Sequence, residues 1–287
     1  MSIKMAIPNK GRLSERAVEL LSKSGIDLGE DWGRKLYVTA EEQNVEIIFV
    51  RAGDIPAFID AGAVDMGITG EDLVAESGYG LRKLMDLQFG ICRLSVAAPE
   101  SSGIRNADDV PDGAKIATSF PNLTREFFGS MGKNVSVMEI SGAAEIMPYL
   151  GTADLISDIV ASGSTLRMNG LAEIAKIMDS QAAIYTSEKS FGKNRADMTD
   201  IVDSVKSVMA AEDRKYLMAD VPKNRLGQIQ SMLPGIGGPT VLNIAGNDEM
   251  VAVHAVISSK DVYRAVNDLK RLGGKGILLL SIDRLVE

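Results

Sequence analysis

The chain has 287 residues, of which 45% are hydrophobic and 24% charged, which is typical of a globular protein and not of a disordered or fibrous one. Its net charge of -8 argues against nucleic acid or an anionic membrane as partner, because both attract basic surfaces. A single cysteine excludes an intrachain disulfide, the first residues predict a strand instead of a signal peptide, and no apolar run is long enough to cross a bilayer, so a cytoplasmic protein is expected.

Short apolar runs alternate with amphipathic stretches from residue 3 to about residue 186, a pattern that indicates an α/β fold. The predicted strands are 4–7, 45–50, 66–69, 94–98, 115–118, 135–140, 155–160 and 182–186. Three helices are predicted between a capping residue and a terminating one, at 14–25, 54–62 and 141–150.

A second pattern follows the polar, helical stretch 194–213. Its predicted elements are strand 215–221, helix 224–232, strand 240–244, strand 250–257, helix 261–272 and strand 277–282. This βαββαβ order is ferredoxin-like, and residues 245–249 have a composition suited to a hairpin. The sequence therefore predicts a separate C-terminal domain.

The first strand runs into a basic turn that contains Lys10, Gly11 and Arg12, and Arg16 lies one helical turn further on. Cations at a strand-to-helix junction favour a polyphosphate there, because a helix N-terminus also attracts anions. Arg51 ends the strand 45–50, where open α/β sheets place ligand groups. The alternative is that these side chains are simply solvated.

The run 64–72 places a strand, a glycine turn and two carboxylates in succession. Gly67 and Gly70 could admit a ligand close to the backbone, and Thr69 offers a hydroxyl. Asp72 could contact such a ligand. Alternatively, Asp72 and its neighbour only complement the dipole of the next helix.

Residues 154–166 carry the strongest local signal: an apolar strand with Asp154 and Asp158, followed by a loop of small residues. Converging backbone N–H groups and the hydroxyls of Ser162, Ser164 and Thr165 would suit a phosphate. A carboxylate upstream could accept hydrogen bonds from ribose hydroxyls or reach Mg²⁺. A strand followed by an ordinary tight turn remains the alternative.

Several familiar sites lack their residues. Neither G-x-G-x-x-G after a strand nor G-x-x-x-x-G-K-[ST] occurs, which argues against a dinucleotide fold and a P-loop. His254 is the only histidine and lies in an apolar run, so a strand residue with a satisfied hydrogen bond is expected. Cys92 has no apparent activating base.

The segment 145–166 resembles the signature of the ATP phosphoribosyltransferases. The matching positions are Glu145, Gly151, Ala153, Ile156, Asp158, Ile159, Ser162, Gly163, Thr165 and Leu166. The runs 6–14, 49–56, 65–70 and 166–171 are similar to the same family, in the same order along the chain.

The resemblance implies an α/β fold with a two-lobed, type II periplasmic-binding-protein-like catalytic region and a C-terminal ferredoxin-like (βαββαβ) domain. Lobe one would comprise 1–90 with 180–210, and lobe two 91–179. Residues 211–287 would form the regulatory domain of the long form, which binds histidine as an inhibitor. The resemblance also implies a homo-oligomer, from dimer to hexamer.

The implied reaction joins N1 of ATP to C1 of phosphoribosyl pyrophosphate (PRPP) and expels pyrophosphate, with Mg²⁺ held mainly by substrate phosphates. The implied catalytic residues are Asp158, Asp154, Lys10 and Arg16. Substrate binding is expected at Ala161, Ser162, Gly163, Ser164, Thr165, Arg12, Gly11, Arg51, Asp72 and Glu145.

The implied histidine site includes Asp220, Gly238, Thr240 and Gly274, with the loop 273–276 closing it. Gly238 stands where the family pattern has a serine, and glycines replace alanines in the loop. Two other functions remain open: a solute-binding protein, which the same two-lobed fold would serve, and a sensor whose catalytic half has lost activity.

Overall fold

The computed structural model describes residues 2–29, 32, 35–233 and 238–286. The chain divides into two compact units: a larger one, Met1–Ser22 with Ile26–Thr199, and a smaller one, Lys23–Gly25 with Asp200–Glu287. Among the described residues, no helix is both long and apolar enough to cross a membrane.

The larger unit contains two α/β lobes, and the chain passes from one to the other and back. Lobe one begins with β1 (Ile3–Pro8), α1 (Ser14–Lys23), β2 (Tyr37–Ala40), β3 (Val45–Val50), α2 (Ile55–Asp60), β4 (Met66–Gly70), α3 (Glu71–Ser77) and β5 (Arg82–Asp86). Lobe two contains β6 (Cys92–Pro99), β7 (Lys115–Thr118), α4 (Pro121–Ser130), β8 (Ser136–Glu139), β9 (Leu155–Val160), α5 (Ser164–Met168) and β10 (Leu171–Ser180). The chain then returns to lobe one in β11 (Ala182–Thr186) and continues as α6 (Glu188–Glu212).

Lobe one is built on a 6-stranded sheet in the order β2-β3-β1-β4-β11-β5. β1 runs parallel to β3 and β4, whereas β11 is antiparallel to β4 and β5. Every residue of β4 and β11 is buried, so both faces of the sheet are covered at these two strands. Their near-continuous apolar runs are the reason that these inner strands were predictable.

Lobe two is a 5-stranded sheet in the order β10-β6-β9-β7-β8. β9 lies between the parallel strand β7 and the antiparallel strand β6. The chain enters this lobe between β5 and β6 and leaves it between β10 and β11. Two sheets joined by two crossings confirm the predicted two-lobed fold.

The smaller unit contains β12 (Arg214–Pro222), α7 (Leu226–Met232), β13 (Thr240–Ile244), β14 (Asn247–Ser258), α8 (Val262–Arg271) and β15 (Lys275–Ser281). Its sheet has the order β13-β14-β12-β15 with antiparallel neighbours, which confirms the ferredoxin-like prediction. Alternate residues of the strands, such as Leu217 of β12 and Val253 of β14, are buried with Ile229 of α7 and Leu269 of α8. His254 is satisfied as expected, because its Nδ1 lies 3.0 Å from the Tyr216 hydroxyl.

Three local predictions were wrong. Residues 141–150 form no α-helix but a single 3-10 turn, Ala144–Ile146, because Ala143 has a left-handed φ of 54° and Pro148 lacks a donor. The helix predicted at 194 begins at Glu188 and is interrupted by the non-helical Asn194. The hairpin at 245–249 has a shorter connection, since β13 ends at Ile244 and β14 already begins at Asn247.

Candidate active site

A cleft of about 350 Å³ lies in the larger unit, within the size range of small-molecule sites. Arg12 of lobe one contributes to it, and all other lining residues belong to lobe two. The lining consists of Arg12, Glu145, Asp158, Ile159, Val160, Ala161, Ser162, Gly163, Thr165 and Leu166. The cleft therefore joins a cation from one lobe to two carboxylates and a loop of small residues from the other.

The loop 161–165 follows the carboxyl end of β9. Gly163 adopts φ +73°, a left-handed conformation that turns the chain directly into α5. The first N–H groups of any helix have no intrahelical acceptor, and in α5 the first of them, Ser164 N–H, donates to Ser162 Oγ at 3.4 Å. Ser162 Oγ lies 3.0 Å from Ser164 Oγ, which adds two hydroxyls to the same turn. The local arrangement favours a bound anion.

Asp158 lies near the end of β9 and is partly buried. Burial raises the pKa of its carboxyl group, the negative charge of Glu145 raises it further, and the Ile159 N–H, 2.7 Å from Oδ1, opposes the rise. Two carboxylates that repel each other in a cleft are expected to be stabilised by hydroxyl donors or a cation from a ligand. Such a perturbed pKa is typical of functional sites.

Arg12 is placed by the turn between β1 and α1. Gly11 has φ +86°, and its carbonyl accepts the Ser14 N–H at 3.1 Å. Arg12 Nη2 donates to Cys92 Sγ at 3.0 Å, so the sole cysteine orients the guanidinium. Ser14 does not cap α1 through its side chain, contrary to the prediction: its buried hydroxyl has no hydrogen-bond partner.

Comparison with known proteins identifies the family. The family model described as ATP phosphoribosyltransferase matches residues 51–207, and the model described as HisG, C-terminal domain, matches residues 211–284. The ATP phosphoribosyltransferase of Gemmatimonas aurantiaca is 44% identical over 291 residues, which cover 99% of each chain. The chain belongs to the ATP phosphoribosyltransferase family. The predicted family and transferase class are thereby confirmed.

Two further ATP phosphoribosyltransferases support this membership. The protein from Methanothermobacter thermautotrophicus is 38% identical over 286 residues and covers 100% of both chains. The solved structure named ATP phosphoribosyl transferase (HisG:HisZ) complex from Thermotoga maritima has a TM-score of 0.65 and 27% identity, over 72% of this chain and 98% of that chain. Full-length relatives and a separate C-terminal match agree with the long form of the family.

Three other cations predicted from the ATP phosphoribosyltransferase resemblance do not line the cleft. Lys10 and Arg51 are exposed and follow the carboxyl ends of the neighbouring parallel strands β1 and β3. Arg16 forms an ion pair with Glu19 at 2.7 Å, so it would have to exchange this partner to meet a phosphate.

Two of the predicted carboxylates, Asp154 and Asp72, lie outside the lining of the cleft. Asp154 precedes β9 and accepts the Lys115 N–H at 2.8 Å, which ties together the starts of β7 and β9. It lies about 13 Å from Asp158, because an extended strand rises about 3.3 Å per residue. Asp72 is only 3% exposed and accepts the Ser180 hydroxyl at 2.7 Å. Both carboxylates stabilise the fold and neither faces the cleft.

The small residues of β4 serve packing and not ligand access. A Cβ on Gly67 would lie 2.7 Å from Ile55 Cγ2, so glycine allows α2 to pack on the sheet. Thr69 is buried and donates to the Ala52 carbonyl at 2.8 Å. A Cβ on Gly70 would lie 2.1 Å from Asp72 Oδ1.

The predicted histidine-site residues fall into two groups in the smaller unit. Asp220 lies on β12 opposite Lys275 of β15, and a Cβ on Gly276 would be 3.4 Å from its Oδ2. Gly274 must be small, since a Cβ there would lie 2.8 Å from the Leu269 carbonyl oxygen. The loop 273–276 is therefore adjacent to Asp220.

The second group is Gly238 and Thr240 at the start of β13. Gly238 has φ +86°, a conformation that the serine of the family pattern would adopt only with strain. Thr240 is exposed and pairs with His254 of β14, so one strand separates β13 from Asp220 on β12. The structure places the loop 273–276 beside Asp220, whereas Gly238 and Thr240 lie apart from them at the start of β13.

Sequence reasoning missed the polar side chains of β6, the strand beside β9. Cys92 binds Arg12, and Arg93 and Ser95 both bind Glu173 of β10. The available signal was the alternation of polar residues, at 93 and 95, within an otherwise apolar strand. The predicted strand began at 94 and left the first of them outside.

Proposed function

We propose that this chain transfers the phosphoribosyl group of PRPP to N1 of ATP and releases pyrophosphate, the first step of histidine biosynthesis. One observation carries the proposal: Arg12 of lobe one lines the same cleft as Asp158 and the loop 161–165 of lobe two. A sugar that carries a phosphate at one end and a pyrophosphate at the other fits this combination of cation, carboxylate and backbone donors.

Each part of the cleft has a proposed role. The N–H groups and hydroxyls of the loop 161–165 bind the 5-phosphate, because a helix N-terminus preceded by a glycine turn stabilises an anion. Asp158 accepts hydrogen bonds from ribose hydroxyls. Arg12 neutralises pyrophosphate as it leaves, and Lys10 and Arg51 extend this positive surface towards the triphosphate of ATP.

Orientation and charge neutralisation are the main catalytic requirements. The attacking nitrogen of adenine carries no proton to remove, so a general base is not needed at the bond-forming step. Holding the two substrates in line and stabilising the leaving pyrophosphate can each lower the barrier by several kcal/mol.

The described residues contain no group of three or more histidine, cysteine or acidic side chains that could hold a metal ion. Asp158 and Glu145 do share the cleft. This donor set fits Mg²⁺ that takes most of its oxygen ligands from substrate phosphates and water. When bound, Mg²⁺ would supply positive charge to the pyrophosphate.

The test is a spectroscopic assay of phosphoribosyl-ATP formation from ATP, PRPP and Mg²⁺. We expect Asp158→Asn to lower kcat/KM for PRPP by about 100-fold, since a hydrogen-bonded carboxylate is worth roughly 1.5–3 kcal/mol. Asp154→Asn is the matched control: it changes an aspartate at the other end of the same strand and should leave kcat/KM within about threefold. Equal kinetics for the two variants would refute the assignment.

We also propose that histidine inhibits the enzyme through the smaller unit. Asp220 beside Gly276 offers a carboxylate for the amino group of histidine, with room that an alanine would reduce. Asp220→Ala should abolish inhibition by histidine and leave the uninhibited rate unchanged, whereas Asp248→Ala, at the exposed start of β14, should retain inhibition. Undiminished inhibition of Asp220→Ala would disprove this site. The homo-oligomer and the cytoplasmic location stay predictions.

A further inference from the structure

Arg93, the second residue of β6, connects the sheet of lobe two to the start of the loop 161–165. Its Nε and Nη2 donate to the two carboxylate oxygens of Glu173 at 2.6 and 2.5 Å. The remaining nitrogen, Nη1, donates to the carbonyl oxygen of Ala161 at 3.3 Å. One guanidinium therefore binds a carboxylate of β10 and the first carbonyl of the loop together.

This pair occupies the same face of the sheet as Asp158. Arg93 lies opposite Val160, and Ser95 lies opposite Asp158, in the pairing of β6 with β9. Paired and alternate residues of a sheet share one face. Ser95 is 1% exposed and donates to Glu173 Oε1 at 2.8 Å, which fixes the carboxylate from a second direction. The hydrogen-bonded group Arg93, Glu173 and Ser95 thus lies beside the cleft.

We propose that Arg93 and Glu173 are positioning residues that hold the loop 161–165 in the conformation that binds the 5-phosphate of PRPP. This inference rests on the proposed function and adds two residues that do not line the cleft.

The geometry explains why a side chain is needed here. The Ser162 and Ser164 hydroxyls bind each other, and the Gly163 carbonyl accepts the Arg167 N–H at 3.2 Å, so these bonds close within the loop and α5. The Arg93 bond to Ala161 links that assembly to the sheet. If the first peptide of the loop rotates, the N–H groups that follow change direction.

Arginine is specifically suited to this task. Its planar guanidinium can bind both oxygens of Glu173 and still present another N–H to Ala161, whereas a lysine ammonium cannot reproduce this fork. Arg93 also lowers the pKa of the Glu173 carboxyl group through its hydrogen bonds, so the carboxylate stays ionised at neutral pH. The ion pair between Arg93 and Glu173 is therefore formed at neutral pH.

The test uses Arg93→Lys and Glu173→Gln in the full-length protein, with KM and kcat measured separately for PRPP and ATP. We expect the KM for PRPP to rise about tenfold in each variant, from the weakening of roughly one charge-assisted hydrogen bond, with the KM for ATP unchanged within about twofold. The double variant should show about the same loss as either single variant, because both weaken the same Arg93–Glu173 contact.

Arg82→Lys is the matched control. Arg82 forms an ion pair with Glu188 at 2.8 Å in lobe one, away from the loop. The control should lose thermal stability without a change in the KM for PRPP. If Arg93→Lys or Glu173→Gln likewise lowers only the melting temperature, the pair is structural and the inference is wrong. If either variant does not fold, the other carries the test; Glu173→Gln keeps the shape of the side chain and one of its two oxygens.

The inference and the proposed function fail differently. Failure of the wild-type chain to form phosphoribosyl-ATP would refute the proposed function. A wild-type chain that is active, together with variants whose KM for PRPP is unchanged, would refute only the positioning role.

Discussion

Gly163 offers a direct test of whether loop geometry controls PRPP binding. Gly163→Ala places a Cβ 3.3 Å from Arg167 Nη1, the flexible end of a side chain, and 3.8 Å from Val160 Cγ1, an ordinary contact. Sterics are therefore minor, and the left-handed backbone dominates at about 1–2 kcal/mol. For a unit of this size the melting temperature should fall by about 2–8 °C.

The functional effect should be larger than the stability effect. A loop that relaxes from φ +73° turns its N–H groups away from the phosphate. The loss of one charge-assisted hydrogen bond, about 1.5–3 kcal/mol, raises the KM for PRPP roughly 10- to 100-fold. Initial rates at saturating ATP, together with thermal unfolding, measure both quantities on one preparation.

Gly132→Ala is the control for this prediction. Gly132 follows α4 in the same lobe with φ +70°, and a Cβ there would have no neighbour within 4 Å. It should show the same loss of stability and a normal KM for PRPP. Equal KM values for the two variants would refute the reasoning that the loop conformation determines PRPP binding.

Three further predictions concern stability and pH. The fold raises the pKa of Asp158, so the folded protein favours the protonated carboxyl group, and this contribution to stability is lost as pH rises through the raised pKa. Thermal unfolding should therefore show Asp158→Asn more stable than wild type at pH 7 and no more stable at pH 3. Glu76 accepts hydrogen bonds from the N–H groups of Asn122 and Leu123, at the start of α4, at 2.8 and 3.0 Å. Glu76→Ala should therefore lower the free energy of unfolding in urea by about 1–2 kcal/mol, and an unchanged midpoint would contradict this capping role. His254→Ala leaves the Tyr216 hydroxyl without its partner, so the free energy of unfolding should fall by about 1 kcal/mol while kcat with ATP and PRPP stays normal. A large fall in kcat would show that His254 has a role that the structure does not explain.

The strands that the sequence failed to predict lie at the edges of the sheets. Five strands agree with the predicted bounds, and four of them lie inside a sheet: Val45–Val50, Lys115–Thr118, Leu155–Val160 and Ala182–Thr186. The fifth, Thr240–Ile244, is an edge strand of the smaller unit. The three strands that were not predicted, Tyr37–Ala40, Arg82–Asp86 and Leu171–Ser180, are all edge strands. An edge strand exposes more of its side chains, so its apolar pattern is weaker.

β10 adds a second reason. Its pairing with β6 shifts register between Glu173 and Ala175 and again between Lys176 and Met178. Each bulge moves the following side chains to the opposite face, which breaks the alternation of period two. Glu173 lies on this strand, so the sequence could not indicate that its carboxylate would reach Arg93.

The sequence by itself determined the elements that depend on local order: the α/β alternation, the βαββαβ unit, and the loop 161–165 after an apolar strand. Only the tertiary structure decided which charged side chains meet. Asp154 and Asp158 look equivalent along the chain, yet one binds the start of β7 and the other lines the cleft with Arg12 of the opposite lobe. Arg12 and Asp158 are far apart along the chain, and their proximity depends on how the two lobes pack. No local sequence pattern encodes this proximity in space.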